Sequence, residues 1–287
     1  MARTPASRVL ELVRRCGTVK REELARRTGL SPATVARAVS ALIDAGLLRY
    51  GRESRTDRGL GRPGTPLQID DRRFVVIGIH RGRHVTTVAL GDLTGRVLDA
   101  RIHRPHPSRP AVRFDGDVIG GLVTELLAAT PGRQPLAVGL VAPWRELGWE
   151  QADLAEHAHD LLGLDVATSE HIAAMASAEF LVETGPATGT SAFVYARETA
   201  GFLVVDHDGE RPAVSRETSL NHFPTGSSAS CECGRTGCFI ATVGDSALAR
   251  EAYARGWISE PRIDEVFRAA QAGAHGPRTL LAERARV

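Results

Sequence analysis

Three of the four cysteines lie within eight residues, in the segment Cys231-Glu-Cys-Gly-Arg-Thr-Gly-Cys238. Thiolates folded around two glycines can converge on a tetrahedral Zn²⁺, which needs a fourth ligand, and His222 is the nearest histidine upstream. A disulfide framework is not expected in a reducing compartment. We therefore predict a structural zinc site formed by His222, Cys231, Cys233 and Cys238; three free thiols are the alternative.

Residues 19–50 have the pattern of a helix-turn-helix. Two short helical patterns meet at Gly29, and the second begins with Ser31 as N-cap and Pro32 at the first helical position. The apolar residues of this second helix recur at the spacing of one buried face. The opposite face is predicted to read base edges in the DNA major groove through Ser31, Ala33, Thr34, Arg37 and Ser40.

The segment from Arg52 to Arg62 alternates arginine with glycine and small polar residues. Such a segment suits a wing, with Arg52 and Arg62 entering a narrow minor groove; a flexible linker with solvated charges is the alternative. Residues 1–62 contain 14 Lys and Arg against 6 Asp and Glu, a net charge of +8, whereas the remainder carries −6. This asymmetry favours a DNA-binding domain over residues 1–70 rather than a small helical bundle that binds protein.

From Arg73 onward the pattern changes to strand-like runs, and the elements follow the order βββαβ before helices and strands alternate. The predicted strands are 74–79, 85–90, 96–100, 136–141, 165–167, 191–196 and 201–206, and the predicted helices are 117–129, 152–162, 172–183, 245–254 and 263–272. This alternation predicts a mixed α/β fold with a first lobe over 71–167 and a second lobe over 168–287 that carries the zinc-binding knuckle.

Composition excludes a membrane protein. At 287 residues, of which 43% are hydrophobic, the chain can bury a sizeable core. Nowhere does it contain the run of about 18 apolar residues that could span a bilayer. The N-terminus also has no apolar signal core, so we expect a cytoplasmic protein with no membrane partner.

The winged helix, the βββαβ order and His222 followed by Cys-x-Cys-Gly-x-x-Gly-Cys together resemble the ROK family, named for repressor, open reading frame and kinase. The resemblance implies an actin-like, ribonuclease-H-like sugar kinase core behind a DNA-binding domain, with a structural zinc near a sugar pocket. It also implies a homodimer or tetramer that represses carbohydrate genes until a sugar binds.

The residues that carry kinase chemistry in the family differ here. His80 lies where the phosphate loop of the family has an aspartate, and Glu170-His171 replaces the family's Asn and catalytic Asp. Ser219 and Ile240 replace glutamates. The chain also ends early by the family's standard, so we expect a C-terminally truncated core. We predict that the protein is not an enzyme and that Glu170, His171 and Ser219 line a degenerate ligand cleft.

The sequence therefore predicts a DNA-binding transcriptional regulator, in the family's terms a repressor, with an inactive kinase-like effector or dimerisation region. It should bind an inverted-repeat operator in double-stranded DNA as a homodimer or tetramer and respond to a small molecule other than a simple hexose. The alternatives are a residual sugar kinase with a regulatory DNA-binding arm and a ligand-independent architectural or antagonist protein. His80 in place of the phosphate-loop aspartate favours the regulator.

Overall fold

The computed structural model describes residues 4–51, 65–82, 85–104, 114–182, 188–208 and 212–286. The chain forms two compact units, residues 1–185 (unit 1) and residues 186–287 (unit 2). Unit 1 contains the winged helix and a five-stranded sheet, and unit 2 contains a three-stranded sheet, the cysteine-rich knuckle and several helices. None of the helices in the described ranges is long and apolar enough to cross a membrane.

Unit 1 begins with α1 (Pro5–Cys16), β1 (Thr18–Val19), α2 (Arg21–Thr28), α3 (Pro32–Asp44), β2 (Leu48–Tyr50) and β3 (Leu67–Ile69). The strands form a small antiparallel sheet in the order β1-β3-β2. Ser31 caps α3, as predicted, because its side chain accepts a hydrogen bond of 3.2 Å from the Thr34 N–H. Gly29 ends α2 in the left-handed conformation with φ +65°, which glycine adopts without a steric penalty.

The winged helix has its own hydrophobic core. The apolar face of α3 packs on α1, α2 and the small sheet, and the fully enclosed members of this cluster are Val9, Val13, Val19, Leu24, Val35, Val39, Leu48 and Leu67. Burial of each such side chain contributes about 1.5–3 kcal/mol relative to its exposed state. Since this packing fixes which side of α3 faces inward, it also fixes the exposed side.

The rest of unit 1 consists of β4 (Phe74–Arg81), β5 (Thr86–Gly91), β6 (Val97–His103), α4 (Gly116–Ala128), β7 (Gln134–Ala142), α5 (Trp144–Leu147), α6 (Gln151–Leu162), β8 (Val166–Glu170) and α7 (His171–Val182). The sheet order is β6-β5-β4-β7-β8, with β4, β5 and β6 antiparallel and β4, β7 and β8 parallel. The predicted βββαβ order is confirmed. The expected lobe boundary at 167/168 lies inside β8, because this strand pairs with β7 as far as Glu170.

A short junction, residues 70–73, connects the winged helix to this sheet. Arg49 of β2 pairs with Asp71 at 3.2 Å, and Arg133 donates a hydrogen bond of 2.6 Å to the Asp71 carbonyl oxygen. The N–H of Gln134, at the start of β7, bonds the Arg73 carbonyl oxygen at 2.9 Å. Leu93, in the turn after β5, packs against the winged-helix core. The winged helix is therefore connected to the start of β7 through the junction and to the turn after β5 through Leu93.

Unit 2 contains β9 (Thr188–Ala196), β10 (Ala200–Asp208), β11 (Pro212–Ser219), α8 (Phe239–Val243), α9 (Asp245–Ala254), α10 (Ile263–Gln271) and α11 (His275–Arg284). The strands form an antiparallel sheet in the order β11-β10-β9, of which β11 was not predicted. The buried Asp245 joins two elements, since its carboxylate accepts hydrogen bonds from Arg197 at 2.7 Å and from Arg284 at 2.8 Å. This pairing connects the end of β9 to α11.

Candidate functional site

The face of α3 that points away from the core carries the five predicted base-contacting residues. Ser31, Ala33, Arg37 and Ser40 are exposed, and Thr34 is half-buried. The Thr34 hydroxyl lies 2.9 Å from Ser31 Oγ and accepts a hydrogen bond of 3.4 Å from Arg37. Within the described parts of the chain no carboxylate pairs with Arg37, so most of its donors face solvent. The structure brings these residues together on one face; their contact with DNA stays a prediction.

The two other predicted DNA contacts, Arg52 and Arg62, lie outside the described residues, as does the segment between them. The structure does describe the strands that flank this segment. Tyr50 of β2 pairs with Leu67 of β3, and the Gly51 N–H donates a hydrogen bond of 2.8 Å to the Pro66 carbonyl oxygen. The chain therefore leaves and re-enters the small sheet at adjacent points, which is the connectivity of a wing.

The four predicted metal ligands converge in unit 2. One ligand atom from each of His222, Cys231, Cys233 and Cys238 lies within 4.8 Å of all the others. Cys231 Sγ is 3.7 Å from His222 Nδ1, and Cys233 Sγ is 3.7 Å from Cys238 Sγ. Zinc–sulfur bonds of about 2.3 Å in a tetrahedron place two sulfurs about 3.8 Å apart, so these separations suit Zn²⁺. The described cluster has the donor set and the size of a structural zinc site.

A hydrogen-bonded loop holds the cysteines in this arrangement. The Cys231 N–H bonds the Arg235 carbonyl oxygen and the Gly234 N–H bonds the Cys231 carbonyl oxygen, both at 2.9 Å. Short bridges pair Ser230 with Thr236 and Pro224 with Cys238, which closes the loop around the sulfurs. The next residue after Cys238 begins α8.

Glycine is required at two positions of the knuckle, Gly234 and Gly237, for partly different reasons. Gly234 has φ +84° and Gly237 has φ +70°, in the left-handed region that favours glycine. A Cβ at Gly237 would lie 2.5 Å from the Ser227 carbonyl oxygen, whereas a Cβ at Gly234 meets nothing within 4 Å. Gly237 is therefore required by close backbone approach as well as by its dihedral angle.

Sequence reasoning did not single out Arg235, which lies inside the knuckle. Hydrogen bonds from Arg235 lower the pKa of the Cys233 thiol to about 6, so this sulfur is ready to bind metal as a thiolate. Burial acts in the opposite direction on Cys238 and raises its pKa to about 11. The only sequence signal for this role was a cation between the second and third cysteines.

His80 and His171 meet where the parallel strands of unit 1 end. Their ring centroids lie 6.3 Å apart, and His171 Nδ1 is 4.0 Å from the Glu170 carboxylate. Burial is the main cause that lowers both pKa values, that of His171 to about 4. Both imidazoles are therefore neutral at pH 7. A side chain with a pKa near 4 is a weak general base at this pH, which argues against its accepting the proton of a sugar hydroxyl.

The third predicted cleft residue, Ser219, is the last residue of β11 and belongs to unit 2. Its side chain is exposed, and its Oγ accepts a hydrogen bond of 3.4 Å from the Asn221 N–H. Glu170 and His171 are neighbours in unit 1, so the cleft that combines them with Ser219 remains a prediction. Ile240, where the family has a glutamate, lies in α8.

Comparison with known proteins gives matches to both parts of the chain. A model described as winged helix-turn-helix DNA-binding matches residues 7–49, and the ROK family model matches residues 76–286. A transcriptional regulator of Mycobacterium tuberculosis is 33% identical over an alignment of 314 positions, which covers 98% of this chain and 69% of the relative. The N-acetylglucosamine repressor of Escherichia coli O6:H1 is 23% identical over 257 residues, which cover 84% of this chain and 62% of the relative.

Solved structures share the fold. A ROK family transcriptional regulator described as a homologue of the E. coli MLC protein has a TM-score of 0.69 over 97% of this chain and 76% of that chain, at 21% identity. A ROK family glucokinase from Streptomyces griseus has a TM-score of 0.56 over 74% of this chain and 76% of that chain, at 19% identity. The chain thus belongs to the ROK family, and it joins the actin-like, kinase-type fold of that family to a winged helix-turn-helix DNA-binding domain.

Proposed function

We propose that the chain is a transcriptional repressor that reads an operator in double-stranded DNA with the exposed face of α3. The observation that carries this proposal is the set of exposed small, hydroxyl and arginine side chains on a helix whose opposite face is buried. Small residues allow close approach of the helix to base edges, and Arg37 can donate two hydrogen bonds to a guanine. The relatives named as a transcriptional regulator and as a repressor support the same function.

The proposed operator is an inverted repeat bound by a homodimer. A two-fold symmetric protein places two α3 helices in successive major grooves, so the half-sites should be about one helical turn or a multiple of it apart. Selection of binding sites from a pool of random duplexes tests this directly. The expected result is an inverted repeat with that spacing; recovery of no common sequence would count against the proposal.

The ROK-type region is proposed to act as an effector or dimerisation region that does not phosphorylate sugars. His80 supplies no carboxylate for Mg²⁺ at the end of β4, and His171 is neutral and buried where the family has its catalytic aspartate. We propose that the effector, where one binds, is a small molecule other than a simple hexose. An assay for ATP-dependent phosphorylation of common hexoses should show none; turnover that is lost in His171→Ala would overturn this part of the proposal.

The knuckle is proposed to hold one structural Zn²⁺ per chain. When bound, the ion would cross-link the loop that follows β11, and the residues of the chain supply one nitrogen and three sulfurs as ligands. Because such a site forms only in the folded loop, metal binding and folding of the knuckle should be coupled. Elemental analysis should give close to one zinc per chain, and Cys238→Ser should lower this content while leaving α3 intact.

A further inference from the structure

A tyrosine and an arginine lie side by side where the described chain ends before the predicted wing. Arg21 donates a hydrogen bond of 2.7 Å from Nη2 to the Tyr50 hydroxyl, and its guanidinium carbon lies 5.7 Å from the centre of the Tyr50 ring. Both side chains are exposed, Tyr50 to 50%. Tyr50 is the one aromatic residue in the described part of the winged helix, whose valine, leucine and isoleucine side chains form or pack against its core.

The small sheet explains why these residues meet although they are 29 positions apart in the sequence. Val19 of β1 pairs with Leu67 of β3, and Leu67 also pairs with Tyr50 of β2. Arg21 begins α2 two residues after Val19. The row across the sheet therefore places the first residue of α2 beside the last residue of β2, where the chain leaves toward the wing.

In the described part of the chain, no acidic side chain neutralises the charge of Arg21. Among the residues that the structure describes, no carboxylate pairs with Arg21, and its one hydrogen-bond partner is the uncharged Tyr50. By contrast, Arg27 at the other end of α2 pairs with Glu23 at 3.3 Å. A guanidinium has five N–H donors, so Arg21 retains donors for a further partner.

We propose that Arg21 binds a backbone phosphate of duplex DNA next to the wing and that Tyr50 positions it. This inference rests on the proposed DNA-binding function and adds a contact that reads no bases. Arginine binds phosphate through charge-assisted hydrogen bonds, and a guanidinium held against a ring loses less freedom on binding. Tyr50 acts through Arg21, because its hydroxyl accepts from the guanidinium and its ring lies beside it. Phosphate contacts set the position of a protein on DNA without specifying sequence.

The test compares wild type with Arg21→Ala, Tyr50→Phe, the double variant and Arg250→Ala, which removes an equal charge from an exposed position in α9 of unit 2. Each protein is titrated with a selected operator duplex and with a scrambled duplex over a salt series. Loss of one phosphate contact should lower the slope of log affinity against log salt by about 0.9. Raising the salt from 50 to 200 mM should therefore weaken the binding of such a variant about 3.5-fold less than it weakens that of wild type.

We expect Arg21→Ala to weaken binding to both duplexes by the same factor, Tyr50→Phe to do so to a smaller extent, and Arg250→Ala to change neither affinity nor slope. The double variant should bind as Arg21→Ala does, since Tyr50 acts only through Arg21. An unchanged salt slope in Arg21→Ala, with wild-type binding intact, would overturn this inference alone. If the variants lose DNA affinity only because their free energy of unfolding falls, Arg21 and Tyr50 stabilise the fold and do not contact phosphate. Absence of any DNA binding by wild type would overturn the proposed function as well.

Discussion

Replacement of Gly237 with alanine should damage the knuckle far more than the same replacement at Gly234. Both glycines have positive φ, so an alanine at either position incurs about 1–2 kcal/mol of backbone strain. Only at Gly237 does the new Cβ collide, at 2.5 Å from the Ser227 carbonyl oxygen. The backbone cannot easily move away, because the Gly237 N–H bonds Ala229 and its carbonyl oxygen accepts from Thr225, both at 2.8 Å.

The collision adds an overpacking cost of about 1–3 kcal/mol to the strain. We therefore expect Gly234→Ala to destabilise unit 2 by about 1–2 kcal/mol and Gly237→Ala by about 2–5 kcal/mol. Urea unfolding of the zinc-loaded proteins measures the difference. Zinc release to a chromophoric chelator should also be faster in Gly237→Ala, since Gly237 directly precedes Cys238, one of the proposed ligands. Equal losses of stability and equal zinc release in the two variants would refute the steric reasoning.

Three further predictions concern the rest of the fold. Ser31→Ala removes the N-cap of α3 and should destabilise the winged helix by about 1 kcal/mol in thermal unfolding. The control is Ser40→Ala in the same helix, and a loss of stability in Ser31→Ala no larger than in this control would contradict the prediction. Because burial lowers the pKa of His171 to about 4 from 6.5, the unfolded chain binds more protons between these values. The contribution of neutral His171 to the free energy of unfolding is therefore fully present above pH 6.5 and is lost as the pH falls toward 4. Urea unfolding should show this loss as about 3 kcal/mol. An identical dependence of stability on pH in His171→Gln would exclude this contribution. Asp245→Asn should destabilise unit 2 by about 1.5–3 kcal/mol, because it weakens the hydrogen bonds of a buried carboxylate with the half-exposed Arg197 and the more buried Arg284. The half-exposed Asp264→Asn should have little effect, and similar losses in both variants would count against the role of Asp245.

The parts of the fold that were predicted correctly depend on local signals. The cap at Ser31, the left-handed Gly29 and the apolar period of α3 are each set by residues within one or two turns of one another. The runs of β-branched residues in β4 and β5 are equally local. Sequence patterns therefore gave the winged helix and the βββαβ order.

The strand β11, which was missed, and the end of β8, which was predicted too short, depend on pairing between distant segments; the helix α11 was also not predicted. β11 reads Pro-Ala-Val-Ser-Arg-Glu-Thr-Ser and has little strand propensity, yet it forms because β10 offers a complete antiparallel partner. β8 continues through the polar residues Thr168 to Glu170 because β7 runs beside it. Such tertiary pairing overrides local propensity and leaves no pattern in the segment itself.

In the candidate sites, too, the features set by local spacing were predicted and those set by contacts between separate elements were not. Cysteine spacing and the nearest upstream histidine predicted which four side chains converge in the knuckle, because the loop closes within a few residues. The effect of Arg235 on Cys233 and the contact of Arg21 with Tyr50 depend on side-chain placement across a turn and across a sheet. The pairing of His80 with His171 similarly requires that β4 and β8 end at the same edge of their sheet.

The most direct test of the proposed function is the affinity of the purified protein for its selected operator and for a scrambled duplex, with Arg37→Ala beside wild type. We expect wild type to prefer the operator by about 10³-fold or more, with an affinity that falls steeply with salt. Arg37→Ala should lose about 1–3 kcal/mol on the operator and relax the preference at one base pair per half-site, with little change on the scrambled duplex. Equal affinity of wild type for both duplexes, or an Arg37→Ala variant that keeps the full preference, would contradict the reading of DNA by α3.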